Sequence, residues 1–276
     1  MNLSQVKLVV TDMDGTLLNS KGEVSDNFYS IFKELKHHNI HFIAASGRQY
    51  HSIIDKLHDI KDEITVIAEN GGIAKQGKTQ LLSNYFPIEV IHQLIVLLRT
   101  IDDAHIVLCG ENYAYVESKD DDFIFMFSEY YTQFKLVEDL TEVLDDNFLK
   151  IAVYSFGGSE EFVYPHVKTY ENDLQVKISG NNWLDLSHIN TNKGYALQQI
   201  QTTLGISKAE TMVFGDYNND LEMLQLADYS FAMKNAHPNV KKVAKFETKS
   251  NDEGGVEFIL KQLIIDKELV AKSSKH

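Results

Sequence analysis

Short apolar runs alternate with amphipathic segments through the first part of the chain. Buried strands are predicted by runs rich in β-branched residues at positions 6–10, 40–45 and 64–68. Apolar residues at helical spacing predict a helix after the first run, with Ser25 or Asp26 as its N-cap, and a second helix at residues 51–57. This order predicts an α/β fold whose doubly wound parallel sheet carries helices on both faces.

A different pattern begins near residue 83. Two helices, at residues 88–99 and 160–171, are predicted among short strands at residues 104–108, 113–117, 149–154, 175–179 and 183–186. Such a mixture is typical of an α+β fold rather than of the alternating pattern that precedes it. We therefore expect these residues to form a separate domain.

After residue 193 the first pattern returns. Helices are predicted at residues 194–204, 220–226 and 256–265, and strands at residues 211–214 and 229–232. The residues after about 267 are polar, and we expect them to fray. The chain thus predicts a core domain of residues 1–82 and 191–276, interrupted by an inserted α+β domain of residues 83–190.

Charge and composition argue against several classes of protein. The chain has a net charge of −14 and no cluster of Lys and Arg, which argues against a nucleic-acid partner. The acidic stretch at residues 117–122 is expected to be solvated surface. A lone cysteine, Cys109, excludes an internal disulfide, and we find no signal-peptide or transmembrane pattern. We expect a cytoplasmic protein with no membrane partner.

Polar residues follow the predicted strands at their carboxyl ends. They are Asp12 and Asp14 after the first strand, Ser46, Gly47 and Arg48 after the second, and Asp216 after the strand at residues 211–214, with Lys193 opening the helix before it. In an open parallel sheet, ligands bind beyond the carboxyl ends of the strands. These residues are therefore expected to converge on one edge of the sheet.

The chemistry of this set fits a phosphate group held beside a divalent cation. Asp12, Asp14 and Asp216 are hard oxygen ligands of the kind that Mg²⁺ prefers. Ser46 offers a hydrogen bond and Lys193 a positive charge to a phosphate, so the site gains positive charge within an acidic protein. Each cluster alone also has a structural explanation, since DxDG forms Asx-turns and GDYNND can begin a helix. Together, in this order, the clusters favour phosphoryl transfer.

The same clusters resemble the motifs of the haloacid dehalogenase (HAD) superfamily of phosphotransferases. DMDGTL at residues 12–17 matches the first motif, Ser46 in AASGR the second, Lys193 in NKG the third and GDYNND at residues 215–220 the fourth. The inserted domain resembles the C2-type cap of the Cof-type subgroup, which ENG at residues 69–71 also matches. AASGRQY, IAENGG and YSFAMKNA are similar to stretches of bacterial Cof-type sugar phosphatases. The resemblance implies a HAD-like Rossmannoid core with an inserted cap.

By this resemblance, three aspartates would carry the chemistry and hold Mg²⁺. Asp12 would be the nucleophile that forms an aspartyl-phosphate, and would also bind the metal. Asp14 would protonate the leaving oxygen and then activate water, while its backbone carbonyl binds the metal. Asp216 would complete the metal site.

The remaining motif residues would hold the phosphoryl group. They are Ser46, the Gly47 amide, Lys193 and Asn219, with Asp220 orienting Lys193 or a metal-bound water. Two departures from the family pattern are Asp185, where many relatives carry Glu, and Asn192, where a small residue is commoner before the lysine.

The implied function is a Mg²⁺-dependent phosphatase of small phosphate monoesters, with a phosphorylated metabolite, most simply a sugar phosphate, as substrate. A nucleotide or cofactor phosphatase of the same superfamily is the alternative. Outside enzymes, the alternatives are a receiver-like phosphoacceptor, which would be shorter and lack an insertion, and a silent binding module, which need not keep Asp14.

The loop at residues 181–183 is either a sugar contact or a surface turn with Trp183 packed in the cap. Arg48 either lines the mouth of the site or pairs with surface acids. The sequence leaves the substrate and the oligomeric state open.

Overall fold

Two β-sheets organise the protein. The structure is a computed structural model that describes residues 2–128, 130–131 and 133–273. Within these residues, one sheet has eight strands and the other has six, and separate hydrophobic clusters pack on each.

The described residues form strands and helices in the following order. The strands are β1 (Leu8–Asp12), β2 (His41–Ala45), β3 (Thr65–Ala68), β4 (Ile73–Gln76), β5 (Thr79–Ser83), β6 (His105–Gly110), β7 (Ala114–Val116), β8 (Phe134–Leu136), β9 (Phe148–Tyr154), β10 (Leu174–Ile178), β11 (Trp183–His188), β12 (Thr211–Gly215), β13 (Tyr229–Ala232) and β14 (Phe246–Glu247). The helices are α1 (Asp26–His37), α2 (Tyr50–Lys56), α3 (Ile88–Leu98), α4 (Asp121–Ser128), α5 (Ser159–Phe162), α6 (Tyr164–Val167), α7 (Lys193–Leu204), α8 (Leu221–Leu224), α9 (Pro238–Val243) and α10 (Gly255–Ser273). Short 3₁₀ turns include Glu69–Gly71, Lys168–Asn172 and Asn218–Asp220.

The larger sheet has the strand order β14-β13-β12-β1-β2-β3-β4-β5. Its strands from β14 to β3 run parallel, which confirms the predicted doubly wound sheet. Since β1 lies between β12 and β2, the carboxyl ends of these three strands meet at one edge. The antiparallel hairpin of β4 and β5 at the opposite side of the sheet was not predicted from the sequence.

Helices cover this sheet for reasons visible in the sequence. Ser25 caps α1, because its hydroxyl accepts a hydrogen bond from the backbone N–H of Phe28. The predicted apolar stripe of α1 is buried, and α1 packs against α10. On α7, the buried residues Ala196, Leu197 and Ile200 belong to the apolar cluster that packs on the larger sheet and also contains the buried residues of α1. None of the helices within the described residues combines the length and the apolar character that crossing a bilayer requires.

The smaller sheet, in the order β10-β11-β9-β6-β7-β8, is the cap. One of its faces packs on α3 through Ile106, Leu108 and Ile151. The opposite face packs on α4 through Val107 and Cys109. The cap is therefore α+β, as predicted, with apolar clusters on both faces of its sheet.

Two connections join the cap to the larger sheet, and they lie side by side. Asn84 Nδ2 donates hydrogen bonds to the carbonyl of Gly71 at 3.0 Å and to that of Asn190 at 3.3 Å. Ser83 is the last residue of β5, and His188 is the last residue of β11. The domain limits at residues 82/83 and 190/191 stay a prediction, placed within a few residues of these two strand ends.

Three helices differ from what the sequence predicted for their residues. The helix predicted at residues 160–171 is broken into α5, α6 and a 3₁₀ turn, because Pro165 has no N–H for a helical hydrogen bond to the carbonyl of Glu161, one turn earlier. The last helix does not fray at residue 267 but continues to Ser273, where a Glu268–Lys272 pair spans one turn. Residues 274–276 of the predicted tail lie outside the described residues.

The third difference is α4, which falls partly within the stretch expected to be solvated acidic surface. Asp120 Oδ1 accepts a hydrogen bond from the backbone N–H of Phe123 and so begins the helix. Phe123 and Phe127 are one turn apart, and both are buried against the cap sheet. Asp120, Asp121 and Asp122 are exposed, as expected, but the Glu117 side chain is only 20% exposed and pairs with Arg99. The exposed acids also start a helix that ends shortly before Tyr130, which lines the site.

Candidate active site

Asp12 and Asp14 lie at the carboxyl end of β1, in the middle of the larger sheet. The Asp12 residue is 5% exposed, whereas the Asp14 side chain is 50% exposed. Gly15 follows with a φ of 76°, and a Cβ at this position would clash with the carboxylate of Asp216. Thr16 Oγ1 donates a hydrogen bond to Asp216 Oδ1 at 3.0 Å. The DMDGT turn therefore brings the end of β12 against the end of β1.

Lys193 opens α7 beside Asp12. The Asn192 side chain accepts a hydrogen bond from the Tyr195 N–H at 2.7 Å and caps the helix. The buried ammonium of Lys193 donates to Asp12 Oδ1 at 2.5 Å and to Asp220 Oδ1 at 2.7 Å. Burial opposes the charge, but these two carboxylates raise the pKa of Lys193 above its ordinary value. Lys193 is therefore held as a cation.

Asp220 is fixed by the loop in which it stands. Its Oδ2 accepts hydrogen bonds from the backbone N–H groups of Asp216 at 2.9 Å and Tyr217 at 3.1 Å. Its Oδ1 remains on Lys193. Asp220 was predicted to orient Lys193 or a metal-bound water, and its side-chain contact is with Lys193.

Three carboxylates form a cluster that fits a divalent cation. Oxygens of Asp12, Asp216 and Asp220 lie within 4.8 Å of one another. Burial raises the pKa of Asp12, and burial together with the Asp220 charge raises the pKa of Asp216 to about 6. Carboxylates this close repel one another, so a cation among them would relieve the repulsion. Hard oxygen ligands suit Mg²⁺, and the residues therefore fit a Mg²⁺ site.

The Asp14 carboxylate stands outside this cluster and is held by Arg48. Arg48 Nε and Nη2 donate to the two Asp14 oxygens, each at 2.7 Å. This bidentate hydrogen bond raises the pKa of Arg48. The metal role predicted for Asp14 uses its backbone carbonyl, so the position of its side chain leaves that role open. Of the two alternatives for Arg48, the structure favours a residue at the mouth of the site.

Ser46 and Gly47 form the turn that follows β2. The Ser46 hydroxyl accepts a hydrogen bond from the Arg48 N–H at 3.1 Å, and its carbonyl accepts one from the Asn70 N–H at 3.0 Å. A Cβ on Gly47 would lie 3.0 Å from Asn70 Nδ2, which is tighter than ordinary contact. Asn219 Nδ2 donates to Asn70 Oδ1 at 3.0 Å. Asn70 thus packs against the predicted phosphate-binding turn and contacts Asn219.

These residues surround a cavity of about 570 Å³ between the two sheets. The predicted residues on its wall are Asp12, Asp14, Ser46, Gly47, Asp216 and Asn219. Lys193 and Asp220 do not line it, because the Lys193 ammonium is enclosed between the carboxylates of Asp12 and Asp220. The structure therefore brings the whole predicted set together, with Lys193 behind the nucleophile candidate.

Tyr130 and Trp183 give the cap side of the cavity an aromatic wall. Their ring centroids lie 5.9 Å apart in an edge-to-face arrangement, and the Arg48 guanidinium is 6.0 Å from the Tyr130 ring. Trp183 and Asn181 line the cavity, whereas Asn182 Nδ2 donates a hydrogen bond to the Ser155 carbonyl at 2.8 Å. The loop at residues 181–183 therefore reaches the site with two of its three residues.

Sequence reasoning missed Lys150, a buried lysine on the cavity wall. Its Nζ lies 2.9 Å from Glu69 Oε2 and 3.3 Å from Asp185 Oδ2. Burial opposes its charge, but Asp185 and Glu69 raise the pKa of Lys150 well above its ordinary value. The available signal was a lysine inside the strand FLKIAVY, which is otherwise apolar. Asp185, noted as a departure from the family pattern, also contacts Asn70 Nδ2 at 3.2 Å.

Comparisons with known proteins identify the family to which this chain belongs. The sequence profile of the haloacid dehalogenase-like hydrolases matches residues 9–260. The 5-amino-6-(5-phospho-D-ribitylamino)uracil phosphatase YbjI of Escherichia coli K12 is 33% identical over 270 residues, which cover 94% of this chain and 96% of that protein. The putative phosphatase YxeH of Bacillus subtilis is 29% identical, covering 95% of this chain and 99% of the relative.

A solved structure agrees. SMU.1108c from Streptococcus mutans UA159 superposes with a TM-score of 0.87 at 31% identity, covering 94% of this chain and 99% of that one. Its match extends over both sheets, so the inserted cap belongs to the shared fold. This chain belongs to the haloacid dehalogenase-like hydrolases and is a Cof-type phosphatase acting on phosphate esters.

Proposed function

We propose that this phosphatase is Mg²⁺-dependent and hydrolyses small phosphate monoesters through a phosphorylated Asp12. The contact that carries the proposal is the buried Asp12 carboxylate held by Lys193 at 2.5 Å, inside the cluster with Asp216 and Asp220. A carboxylate held in this way is pre-organised to attack phosphorus, because its orientation is already fixed before the substrate binds.

In the first step, an Asp12 oxygen forms a bond to phosphorus while the bond from phosphorus to the leaving oxygen breaks. Asp14, at the exposed side of the cavity, gives its proton to that leaving oxygen. In the second step, Asp14 takes a proton from water, whose oxygen bonds to phosphorus as the bond to Asp12 breaks. The products are inorganic phosphate, the free alcohol and the original Asp12 carboxylate.

The remaining residues bind and orient the phosphoryl group. Ser46, the Gly47 amide and Asn219 offer hydrogen bonds from the wall of the cavity, and Lys193 supplies positive charge from behind Asp12. When bound among Asp12, Asp216 and the Asp14 carbonyl, Mg²⁺ would neutralise charge on the phosphoryl oxygens. Charge on these oxygens is the chief difficulty of phosphoryl transfer, so this arrangement is suited to the reaction.

For the substrate, we propose a sugar phosphate. The wall opposite the phosphate site offers polar groups from Ser179 and Asn181 and the flat rings of Tyr130 and Trp183, and sugars bind to such mixed surfaces. The buried thiol of Cys109 fits the predicted reducing compartment, so we place the enzyme in the cytoplasm, acting on a phosphorylated metabolite.

A second candidate is a sugar-alcohol phosphate that carries a heterocyclic ring. The relative YbjI is named for such a substrate, 5-amino-6-(5-phospho-D-ribitylamino)uracil. The observation that favours it here is the aromatic wall, since Tyr130 is 42% exposed and its ring is available for stacking.

A substrate panel tests the proposal. Hexose and pentose phosphates, nucleotides and the ribitylaminouracil phosphate are ranked by kcat/KM, with Mg²⁺ and with a chelator. Loss of turnover in the chelator supports the metal requirement, and turnover that persists in metal-free buffer contradicts it.

The variant Tyr130→Leu should raise KM for ring-bearing substrates alone. Tyr164→Leu is the matched control, because the Tyr164 hydroxyl contacts Glu171 on the cap surface.

A further inference from the structure

Two lysines of the cap reach across to catalytic loops of the core. Lys150 stands in β9 and Lys177 in β10. The neighbours of Lys150 in β9, Leu149 and Ile151, are buried in apolar clusters, whereas Lys150 itself is directed to the cavity. Each lysine donates a hydrogen bond to a backbone carbonyl of the core.

Lys150 holds the phosphate-binding turn. Its Nζ donates to the carbonyl of Gly47 at 3.2 Å, and the carboxylates of Glu69 and Asp185 hold the ammonium in place. Glu69 and Asn70, which pack on this turn, both have left-handed backbone geometry, with φ of 50° and 53°. Such geometry is costly for residues other than glycine and persists where surrounding contacts fix it. Lys150 supplies one of those contacts from the cap.

Lys177 holds the loop of the fourth motif. Its Nζ donates to the carbonyl of Asn218 at 3.2 Å and lies 3.6 Å from Glu222 Oε1. The Asn218 carbonyl belongs to the peptide that precedes Asn219, whose side chain faces the cavity. The same loop carries Asp216 and Asp220, so its position also sets the carboxylate cluster.

We propose that Lys150 and Lys177 are positioning residues through which the docked cap fixes the two catalytic loops. Gly47 has no side chain to restrict its backbone, so an anchor on its carbonyl limits the directions that its amide can take. The contact on the Asn218 carbonyl limits Asn219 in the same way. The inference rests on the proposed function, since it assigns phosphate binding to Gly47 and Asn219. If these contacts fix the two loops, phosphate binding and turnover in the core depend on the docked cap, even for a ligand too small to touch the cap.

The test uses the full chain with p-nitrophenyl phosphate as substrate and inorganic phosphate as a ligand that cannot extend to the cap. The variants are Lys150→Met and Lys177→Met. Lys119→Met is the charge control, because Lys119 pairs with Glu138 on the cap surface. Glu222→Gln is the second control, because it removes the ion pair of Lys177 and leaves the Asn218 carbonyl contact.

Both cap-lysine variants should lose about tenfold or more in kcat, because a misplacement of about 1 Å costs on the order of 10²-fold in rate. Lys150→Met should also weaken inhibition by inorganic phosphate and leave calorimetric Mg²⁺ affinity unchanged. Lys177→Met should weaken Mg²⁺ affinity, because its loop carries Asp216. Both controls should match the wild type in all three measurements.

A purely structural role would instead lower the melting temperature and leave kcat, phosphate inhibition and Mg²⁺ affinity of the folded fraction at wild-type values. That result overturns the proposal. If Lys150→Met fails to fold because Glu69 and Asp185 lose their cation, the half-buried Lys177 decides, since its side chain is 23% exposed and its removal is tolerable. If the wild type itself does not hydrolyse the ester, the proposed function fails first and the positioning role fails with it.

Discussion

The Lys193 ammonium lies 2.5 Å from Asp12 Oδ1, and both side chains are buried at the carboxyl end of β1. Asp220 shares the same ammonium at 2.7 Å. One cation is thus placed between the nucleophile candidate and the residue that fixes the fourth-motif loop. The contact links the chemistry of the site to the stability of the core.

Removing this cation should destabilise the metal-free protein. Lys193→Met leaves Asp12 and Asp220 buried without their partner, and breaking a buried ion pair costs about 3–5 kcal/mol. Denaturant unfolding in chelator measures the loss. Lys193→Met combined with Asp12→Asn should recover part of this loss, since one of the two buried, unpaired charges is then gone. Equal unfolding free energies for the wild type and Lys193→Met would contradict the ion-pair account.

The metal roles of Asp14 and Asp216 can be separated by calorimetry. Asp14→Asn should keep most of the Mg²⁺ affinity. The Asp14 carboxylate accepts hydrogen bonds from Arg48, and the atom of Asp14 that is predicted to bind the metal is its backbone carbonyl oxygen. Asp216→Asn should lose most of it, because the Asp216 carboxylate is part of the cluster. Both variants change an aspartate to its amide, so each is the control for the other. A similar loss in both would assign the Asp14 side chain to the metal instead.

The stabilising effect of Mg²⁺ should grow with pH. Asp216 has an ordinary pKa of 3.8 that rises to about 6 in the folded protein. A raised carboxyl pKa stabilises the fold below about pH 4, and this contribution is lost as the pH rises through about 6. Mg²⁺ competes with that proton, so it should raise the melting temperature more at about pH 7.5 than at about pH 5. Calorimetric melting with and without Mg²⁺ measures this, and an equal shift at both pH values would speak against a carboxylate metal site.

The core of the fold could be predicted because its signals are local. β1, β2 and β3 are continuous apolar runs, and Ser25 precedes an apolar stripe at helical spacing. In the cap, α4 was missed because only Phe123 and Phe127 mark its buried face in eight residues. Its formation depends on the apolar face of the cap sheet, which is assembled from distant strands.

The site divides in the same way. Asp12, Ser46 and Asp216 could be predicted because parallel strands bring their carboxyl ends together whatever the details of packing. The position of Lys193 behind Asp12 and the bidentate contact of Arg48 with Asp14 are tertiary relationships that no spacing expresses. The otherwise apolar strand FLKIAVY was a signal for Lys150, but its burial could not be inferred, since a single lysine in a strand usually faces solvent.

Binding at the cap side can be followed through Trp183. It is the single tryptophan of the chain and lines the cavity beside Tyr130. In an inactive Asp12→Asn protein with Mg²⁺, a sugar phosphate should change its fluorescence, because the part beyond the phosphate meets the aromatic wall. Inorganic phosphate should not, since it stays at the core. The same change with both ligands would mean that the emission reports cap movement rather than contact.

The most direct test of the account is to locate the phosphoryl group on the protein. Asp14→Asn should form the aspartyl-phosphate but release it slowly, because water is no longer activated. The protein is mixed with p-nitrophenyl phosphate and Mg²⁺, quenched in acid and digested, and the peptides are analysed by mass spectrometry. The account predicts a hydroxylamine-sensitive phosphoryl group on Asp12 that is absent from the Asp12→Asn/Asp14→Asn protein. A phosphoryl group on another residue, or wild-type turnover by Asp12→Asn, would contradict it.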